Sequence, residues 1–268
     1  MLNRIEKRIV IGATYIIFFL AVGALAFVFW PKQVYVGTCF DKIQNQNETG
    51  VDCGGACSAC LTPEETLLQK IDVKWAKIFR QKQGIYDLAS SIENLNYTYG
   101  GQEIDYAFHI LDNSGKEISA ITGTTYILPH GARYVVRQAI AIPQDPASVS
   151  FEITNVDWKK IDGYTDPGFS VEQKKLEMPL GDSNIFAKIS GVVSNNSPYG
   201  LRFIDVDMVV FDALNNPIAV NHSDMQTLPS GQKRAFTVFW SAPFSAQAQR
   251  YDIYVNSNLF LADNLIKG

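Results

Sequence analysis

Two stretches lying one hundred residues apart carry the same alternation. Ile104, Tyr106, Phe108 and Ile110 alternate with Glu103, Asp105, Ala107 and His109, and Ile204, Val206, Met208 and Val210 alternate with Phe203, Asp205, Asp207 and Val209. A period of two places each apolar set on one face of a strand. The match continues at the same offset. Asn96, Tyr99 and Gly100 match Asn196, Tyr199 and Gly200; Asp105 and Asp112 match Asp205 and Asp212; Ile118 matches Ile218. Leu128-Pro129-His130-Gly131 matches Leu228-Pro229-Ser230-Gly231, and Phe151 and Ile153 match Tyr251 and Ile253. A gapless self-match of this length predicts two copies of one domain, over 70–160 and 170–262. The polar, turn-rich stretch 161–169 reads as their linker.

The matched polar residues have folding jobs. Asp112 and Asp212 open turns, where an aspartate bonds the backbone two residues on. Pro129 and Pro229 suit position i+1 of a type I turn, with Gly131 and Gly231 at i+3. Each copy has room for six or seven short strands, which fits an antiparallel sandwich of immunoglobulin-like architecture. Trp75, Trp158 and Trp240 read as core or inter-domain packing rather than as ligand platforms. The expected fold class is all-β: two tandem immunoglobulin-like antiparallel β-sandwiches behind one N-terminal transmembrane helix.

That helix is read from Ile9–Trp30, which contains no charged side chain. At about 1.5 Å per residue the run is roughly 33 Å long, enough for a bilayer core of about 30 Å. Trp30 suits an interface, and Arg4, Lys7 and Arg8 before the span favour a cytoplasmic N-terminus. The expected organisation is a cytoplasmic tail (1–8), a span (9–30) in the lipid bilayer, a cysteine-rich stem (31–61) and the two sandwiches outside the cell membrane. Ala24-Leu25-Ala26 resembles a signal-peptidase site, but the apolar run continues past it, so an uncleaved anchor is the preferred reading. Charge is low and slightly acidic, with 23 Lys+Arg against 27 Asp+Glu, and no basic run beyond the N-terminus suggests nucleic acid as a partner.

All four cysteines fall in 39–60, spaced C-x13-C-x3-C-x2-C. Zinc knuckles usually come as two close pairs, and Cys39 stands alone. A redox C-x-x-C needs a helix N-terminus in a βαβ setting. Outside the cytoplasm, Cys39, Cys53, Cys57 and Cys60 are best read as two disulfides, with three pairings open. Asp41, Asn45, Asn47, Glu48 and Asp52 offer hard oxygens for Ca²⁺, though their spacing is not that of an EF-hand. The competing reading is a polar turn whose side chains bond the backbone. No other cofactor is expected.

Three resemblances bear on this. Ile189–Ile218 resembles an FxLYD domain through Gly191, Val193, Asn195 and Ser197 and then Met208-Val209-Val210-Phe211-Asp212, matched in the first copy by Phe108-His109-Ile110-Leu111-Asp112. Tyr86–Asn96 is similar to a strand of late-embryogenesis-abundant-type sandwiches ending in Asn-Pro-Asn, with Leu95 in place of the proline. Cys39, Asp41, Asn45, Glu48, Thr49, Asp52, Cys53, Gly54, Gly55, Cys57 and Cys60 resemble small cysteine-rich modules of bacterial surface proteins, with Lys42 where a glycine is usual. These resemblances imply an exported bacterial sandwich protein and carry over no catalytic residues.

Nothing in the sequence assembles catalytic chemistry by motif. His109 falls on the polar phase of its strand, where it should be solvated; His130 lies in the Pro-x-Gly turn; His222 reads as part of a polar loop, Asn221–Asp224. Asn47, Asn96, Asn195 and Asn221 open Asn-x-Ser/Thr acceptor patterns. The expected function is therefore a membrane-anchored, extracytoplasmic binding or scaffold protein engaging an envelope protein. An accessory subunit of a secretion or transport assembly is the alternative, and an enzyme or redox protein comes last.

Overall fold

A computed structural model describes residues 12–13, 15–16, 18–20, 22, 38–57, 60, 67–178 and 184–266. The expected span over 9–30 lies largely outside them. Its described residues Gly12, Ala13, Tyr15, Ile16, Phe18, Phe19, Leu20 and Val22 are helical, and no helix among the described residues is long and apolar enough to cross a membrane. The chain divides into two compact units, Met1–Cys60 and Leu61–Gly268.

The larger unit is built from strands β1 (Asp72–Lys82), β2 (Ile85–Glu93), β3 (Tyr99–Leu111), β4 (Glu117–Ile127), β5 (Ala132–Ala141), β6 (Ser148–Lys160), β7 (Phe169–Glu177), β8 (Ala187–Asn195), β9 (Gly200–Phe211), β10 (Pro217–Leu228), β11 (Lys233–Trp240), β12 (Arg250–Asn256) and β13 (Leu265–Ile266). All pairings are antiparallel, in sheets β1-β2-β5, β4-β3-β6, β11-β8-β7 and β10-β9-β12, with β13 also on β9. The first two sheets enclose one core, which includes Leu88, Ile92, Ile104, Phe108, Ile110 and Phe151. The last two enclose another, which includes Ile189, Val193, Val206, Met208, Val210 and Trp240. The strand order of the first pair is repeated in the second, so the repeated sequence folds into a repeated all-β arrangement.

The two pairs are not strung end to end. Phe79, Ala89, Val209, Phe211 and Val220 form a third buried cluster with Trp75, Tyr134 and Val136 against it. These residues belong to sheets β1-β2-β5 and β10-β9-β12. The outer face of one pair is therefore buried on the outer face of the other, and four sheets stack in layers. This corrects the simple alternation read for β9. Ile204, Val206, Met208 and Val210 face their own core, but Asp207 and Val209 on the opposite phase are 1% and 0% exposed. A strand covered on both faces has no solvent-facing side, so its polar side chains must find partners within the protein.

The gapless offset also needs correction. Asn94 donates to the carbonyls of Tyr99 and Leu128, and Asn195 donates to those of Tyr199 and Leu228. The equivalent pair is thus Asn94 and Asn195. Asn96 instead corresponds to Ser197, each donating its backbone N–H to the Oδ1 of the asparagine two residues earlier, Asn94 and Asn195, while Asn196 is exposed. Phe151 pairs with Phe108 but Ile253, not Tyr251, pairs with Met208. A two-residue slip keeps the same side chains facing inward, so alternation alone cannot reveal it.

Turn chemistry is mixed. The Asp112 carboxylate accepts the N–H groups of Ser114 and Lys116, and that of Asp212 accepts those of Leu214 and Asn216. The Pro-x-Gly turns differ from expectation. Gln232 N–H donates to Pro229 O, so Pro229 is at position i and Gly231, at φ 70°, is at i+2. In the first copy His130 takes the positive φ, 46°, and stacks on Tyr97 at 4.2 Å. Of the tryptophans, Trp240 is in the second core, Trp158 packs on the first, and Trp75 lies at the seam between them.

His109 lies on the outward, partly exposed phase of β3, as the alternation implies, but it is not alone there. It lies between Glu117 (2.7 Å) and Glu152 (3.1 Å). The bond to Glu117, reinforced by Glu152, raises the imidazole pKa above its ordinary 6.5. The folded chain holds this proton more tightly than the unfolded chain. The pair's contribution is therefore complete below pH 6.5 and disappears as pH rises through the raised value. His109→Gln should remove this component from a stability-versus-pH profile. Identical wild-type and variant slopes above pH 6.5 would refute it.

Candidate functional site

A gathering of ionisable side chains from four strands lies at the seam between the two sandwiches. Asp205 and Asp207 project from one face of β9. The register of β9 with β10 sets Asp207 directly across from His222 and Asp205 directly across from Asp224. His222 is thus a strand residue, not part of a loop: pairing with β9 carries β10 through the polar run Asn221–Asp224. From the first sandwich, β4 contributes Tyr126 and β5 contributes Arg133. The Asp205 Oδ2 atom accepts from Tyr126 Oη at 2.8 Å and from Arg133 Nη2 at 2.7 Å. Arg133 also donates from Nε to Thr125 Oγ1 and lies over the Tyr126 ring, 4.0 Å from its centroid.

Two like charges directly opposite on a sheet repel. Asp205 and Asp224 are such a pair, and the cluster offsets the repulsion with Arg133 on one side and His222 on the other. His222 contacts Asp207 through Nδ1 (2.7 Å) and Asp224 through Nε2 (3.0 Å). The Asp207 bond raises the imidazole to about 9, against the opposing effect of burial. Burial pushes the Asp207 carboxyl above its usual range, with His222 and Arg133 pulling the other way. Tyr126 is pushed up chiefly by burial, which keeps its hydroxyl a donor. Asp207 Oδ2 and Arg133 Nη1 are buried without a hydrogen-bond partner among the described residues. Chemically the arrangement can lock the two sandwiches together. It also places one ligand atom each from Asp205, His222 and Asp224 within 4.8 Å of one another.

Sequence reasoning did not single out Arg133, Tyr126 or Asp207. One signal was present in the outer phase of β9, Asp205-x-Asp207-x-Val209-x-Phe211, which mixes charge with large apolar groups. A water-facing strand has no use for Val209 and Phe211, so a cover was implied. Nothing in the sequence identified Arg133 as the residue supplying it.

The cysteine unit holds the other predicted residues. Cys39 bonds Cys57 and Cys53 bonds Cys60, one of the three open pairings. The Gly54-Gly55 pair is required by the backbone: both sit at positive φ, and a Cβ on Gly55 would lie 2.2 Å from Asn47 O. The proposed calcium oxygens are engaged with backbone N–H groups. Asp41 accepts from Thr38 and Ile43, Asp52 from Lys42, and buried Glu48 from Asn45 and Asp52. Asn45 donates its amide to Asp41, and Asn47 is exposed at φ 63°. The acidic group nearest a ligand-like cluster, Glu48, has Cys39 and Cys57 as companions, and both sulfurs are committed to their disulfide.

Among the acceptor patterns, the Asn96 and Asn195 side chains are buried, with amide nitrogens that donate to protein oxygens. An open groove of about 470 Å³ runs along the seam, lined by Ile78, Phe79, Arg80, Pro217, Trp240 and Phe244 among others.

Comparison with known proteins adds little. No family model matches the chain, and no curated protein matches it. Among solved structures, a red sea bream transglutaminase is similar at 10% identity and a TM-score of 0.22, covering 71% of this chain. The chain spans 29% of the length of that enzyme chain.

Proposed function

We propose that this chain is a single-pass, membrane-anchored extracytoplasmic binding or scaffold protein that presents two immunoglobulin-like sandwiches as one rigid body. The observation that carries this reading is the seam. An apolar cluster and an ionic cluster join the outer faces of the two sandwiches, and tandem modules joined in that way present a fixed surface instead of swinging on a linker. The immunoglobulin-like assignment is supported by strand order. β1-β2-β5 over β4-β3-β6 corresponds to strands A-B-E over C′-C-F, and the second copy repeats it. The groove along the seam and the exposed sheet edges are the surfaces on which an envelope partner would dock.

The anchor and its orientation rest on the charge-free span 9–30 and on the two disulfides, which are stable in an oxidising compartment. Alkylating intact cells with a membrane-impermeant maleimide tests both. No labelling is expected until a reductant is added, and then labelling of all four cysteines without permeabilisation. Thiols that label without reductant, and only after the cells are opened, would overturn the exported reading. The second reading, an accessory subunit of an envelope assembly, predicts stoichiometric co-purification of other envelope proteins in mild detergent.

A further inference from the structure

The ionic cluster contains more than a lock requires. Arg133 and Tyr126 both engage one oxygen of Asp205, Oδ2, while its Oδ1 has no hydrogen-bond partner among the described residues. Asp224 is the far member of an opposed carboxylate pair, and its side chain is 76% exposed. The Nε2 atom of His222 lies 3.0 Å from Asp224 Oδ1, and one ligand atom each from Asp205, His222 and Asp224 lie within 4.8 Å of one another. The imidazole is fixed from behind. Asp207 is 1% exposed, accepts the Nδ1 proton through Oδ1 at 2.7 Å, and has no hydrogen-bond partner for Oδ2 among the described residues. A buried carboxylate on one imidazole nitrogen, with the other nitrogen turned outward to an exposed carboxylate, is the arrangement by which proteins orient a metal-ligating histidine.

We propose that Asp205, His222 and Asp224 form a binding site for one divalent transition-metal ion of the zinc class, with Asp207 as the positioning residue for the imidazole. Their ligand atoms already lie within 4.8 Å of one another. One nitrogen and two carboxylate oxygens suit zinc better than calcium or magnesium, which take all-oxygen shells. The exposed Asp224 gives the ion a path from solvent. The ion would relieve the opposed Asp205–Asp224 pair and add to the cohesion of the seam, since Asp205 is also held by the first sandwich.

The test uses the full chain in detergent. Zinc chloride titrated calorimetrically should bind one ion per chain at this site, and cobalt(II) should give visible absorption bands from an imidazole-carboxylate site, displaced by zinc. Asp224→Asn, at an exposed position that leaves the fold intact, should weaken binding by at least about tenfold, as should His222→Gln; Asp207→Asn, acting through His222, should cost about 10- to 100-fold. His109→Gln is the control for the separate Glu117–His109–Glu152 group and should bind as the wild type does. No heat and no cobalt spectrum at millimolar metal would overturn the proposal. So would binding that survives both Asp224→Asn and His222→Gln, or binding lost only in His109→Gln.

Discussion

Replacing Arg133 with methionine is expected to lower the unfolding free energy by about 3–5 kcal/mol, the cost of removing one partner from a buried ion pair. The Arg133 side chain is 11% exposed and that of Asp205 is 22% exposed, so water screens the pair little. Methionine retains much of the volume, so the loss reports charge rather than a cavity. Without the guanidinium, Asp205 keeps only the Tyr126 hydroxyl at Oδ2, and Asp207 is left with His222 alone to offset its burial. For a unit of this size a kilocalorie corresponds to about 2–4 °C, so the melting temperature should fall by roughly 10 °C. Urea denaturation checks this. A change below about 0.5 kcal/mol would place Arg133 with ordinary surface pairs, which contribute about 0–1 kcal/mol. Arg133→Met combined with Asp205→Leu should recover part of the loss, because an apolar replacement of both partners leaves no unpaired charge. Recovery in the double variant also separates coupling across the seam from two independent local effects.

How much of this was readable in the chain depended on the kind of constraint. Period-two alternation at Ile104–Ile110 and Ile204–Val210 signalled strands, and its recurrence signalled a repeated β arrangement. Those are local patterns with a direct physical meaning. What covers the second face of a strand is not local. Asp207 and Val209 share a phase that reads as outward until another sheet is laid over it. His222 looked like loop because Asn-His-Ser-Asp has low strand propensity, yet pairing with β9 holds it extended, and tertiary context routinely outweighs propensity. The cysteines were legible as staples but not as Cys39–Cys57 and Cys53–Cys60, since spacing does not distinguish three pairings. The gapless repeat concealed one-residue and two-residue shifts because identical residues at Tyr99 and Tyr199 dominated the match. Asn94 and Asn195, the true counterparts, differ in offset by one.

That one-residue correction has a large energetic consequence. Asn195→Ala should destabilise the chain by about 3–6 kcal/mol. Asn195 is fully buried, and its side chain serves three backbone groups at once: it donates to the carbonyls of Tyr199 (2.8 Å) and Leu228 (2.9 Å) and accepts from Ser197 N–H (3.0 Å). Each buried group left without a partner costs about 1–3 kcal/mol. Asn195→Asp should be no better, since it keeps the acceptor, loses both donors and buries a charge. Asn94→Ala should behave alike, because Asn94 is fully buried and bridges Tyr99 O (2.7 Å) to Leu128 O (3.1 Å) in the first sandwich. Asn196, which the gapless alignment would have chosen in the second copy, is exposed and bonds Gly168 O and Ser170 Oγ. Asn196→Ala should stay within about 0.5 kcal/mol, the usual range for a surface change. Equal losses for Asn195→Ala and Asn196→Ala would sink the structural alignment of the two copies. If the seam couples the sandwiches, Asn94→Ala and Asn195→Ala should each shift a single cooperative transition. A separate early unfolding phase confined to the altered sandwich would instead show that the seam is too weak to hold the pair as one body.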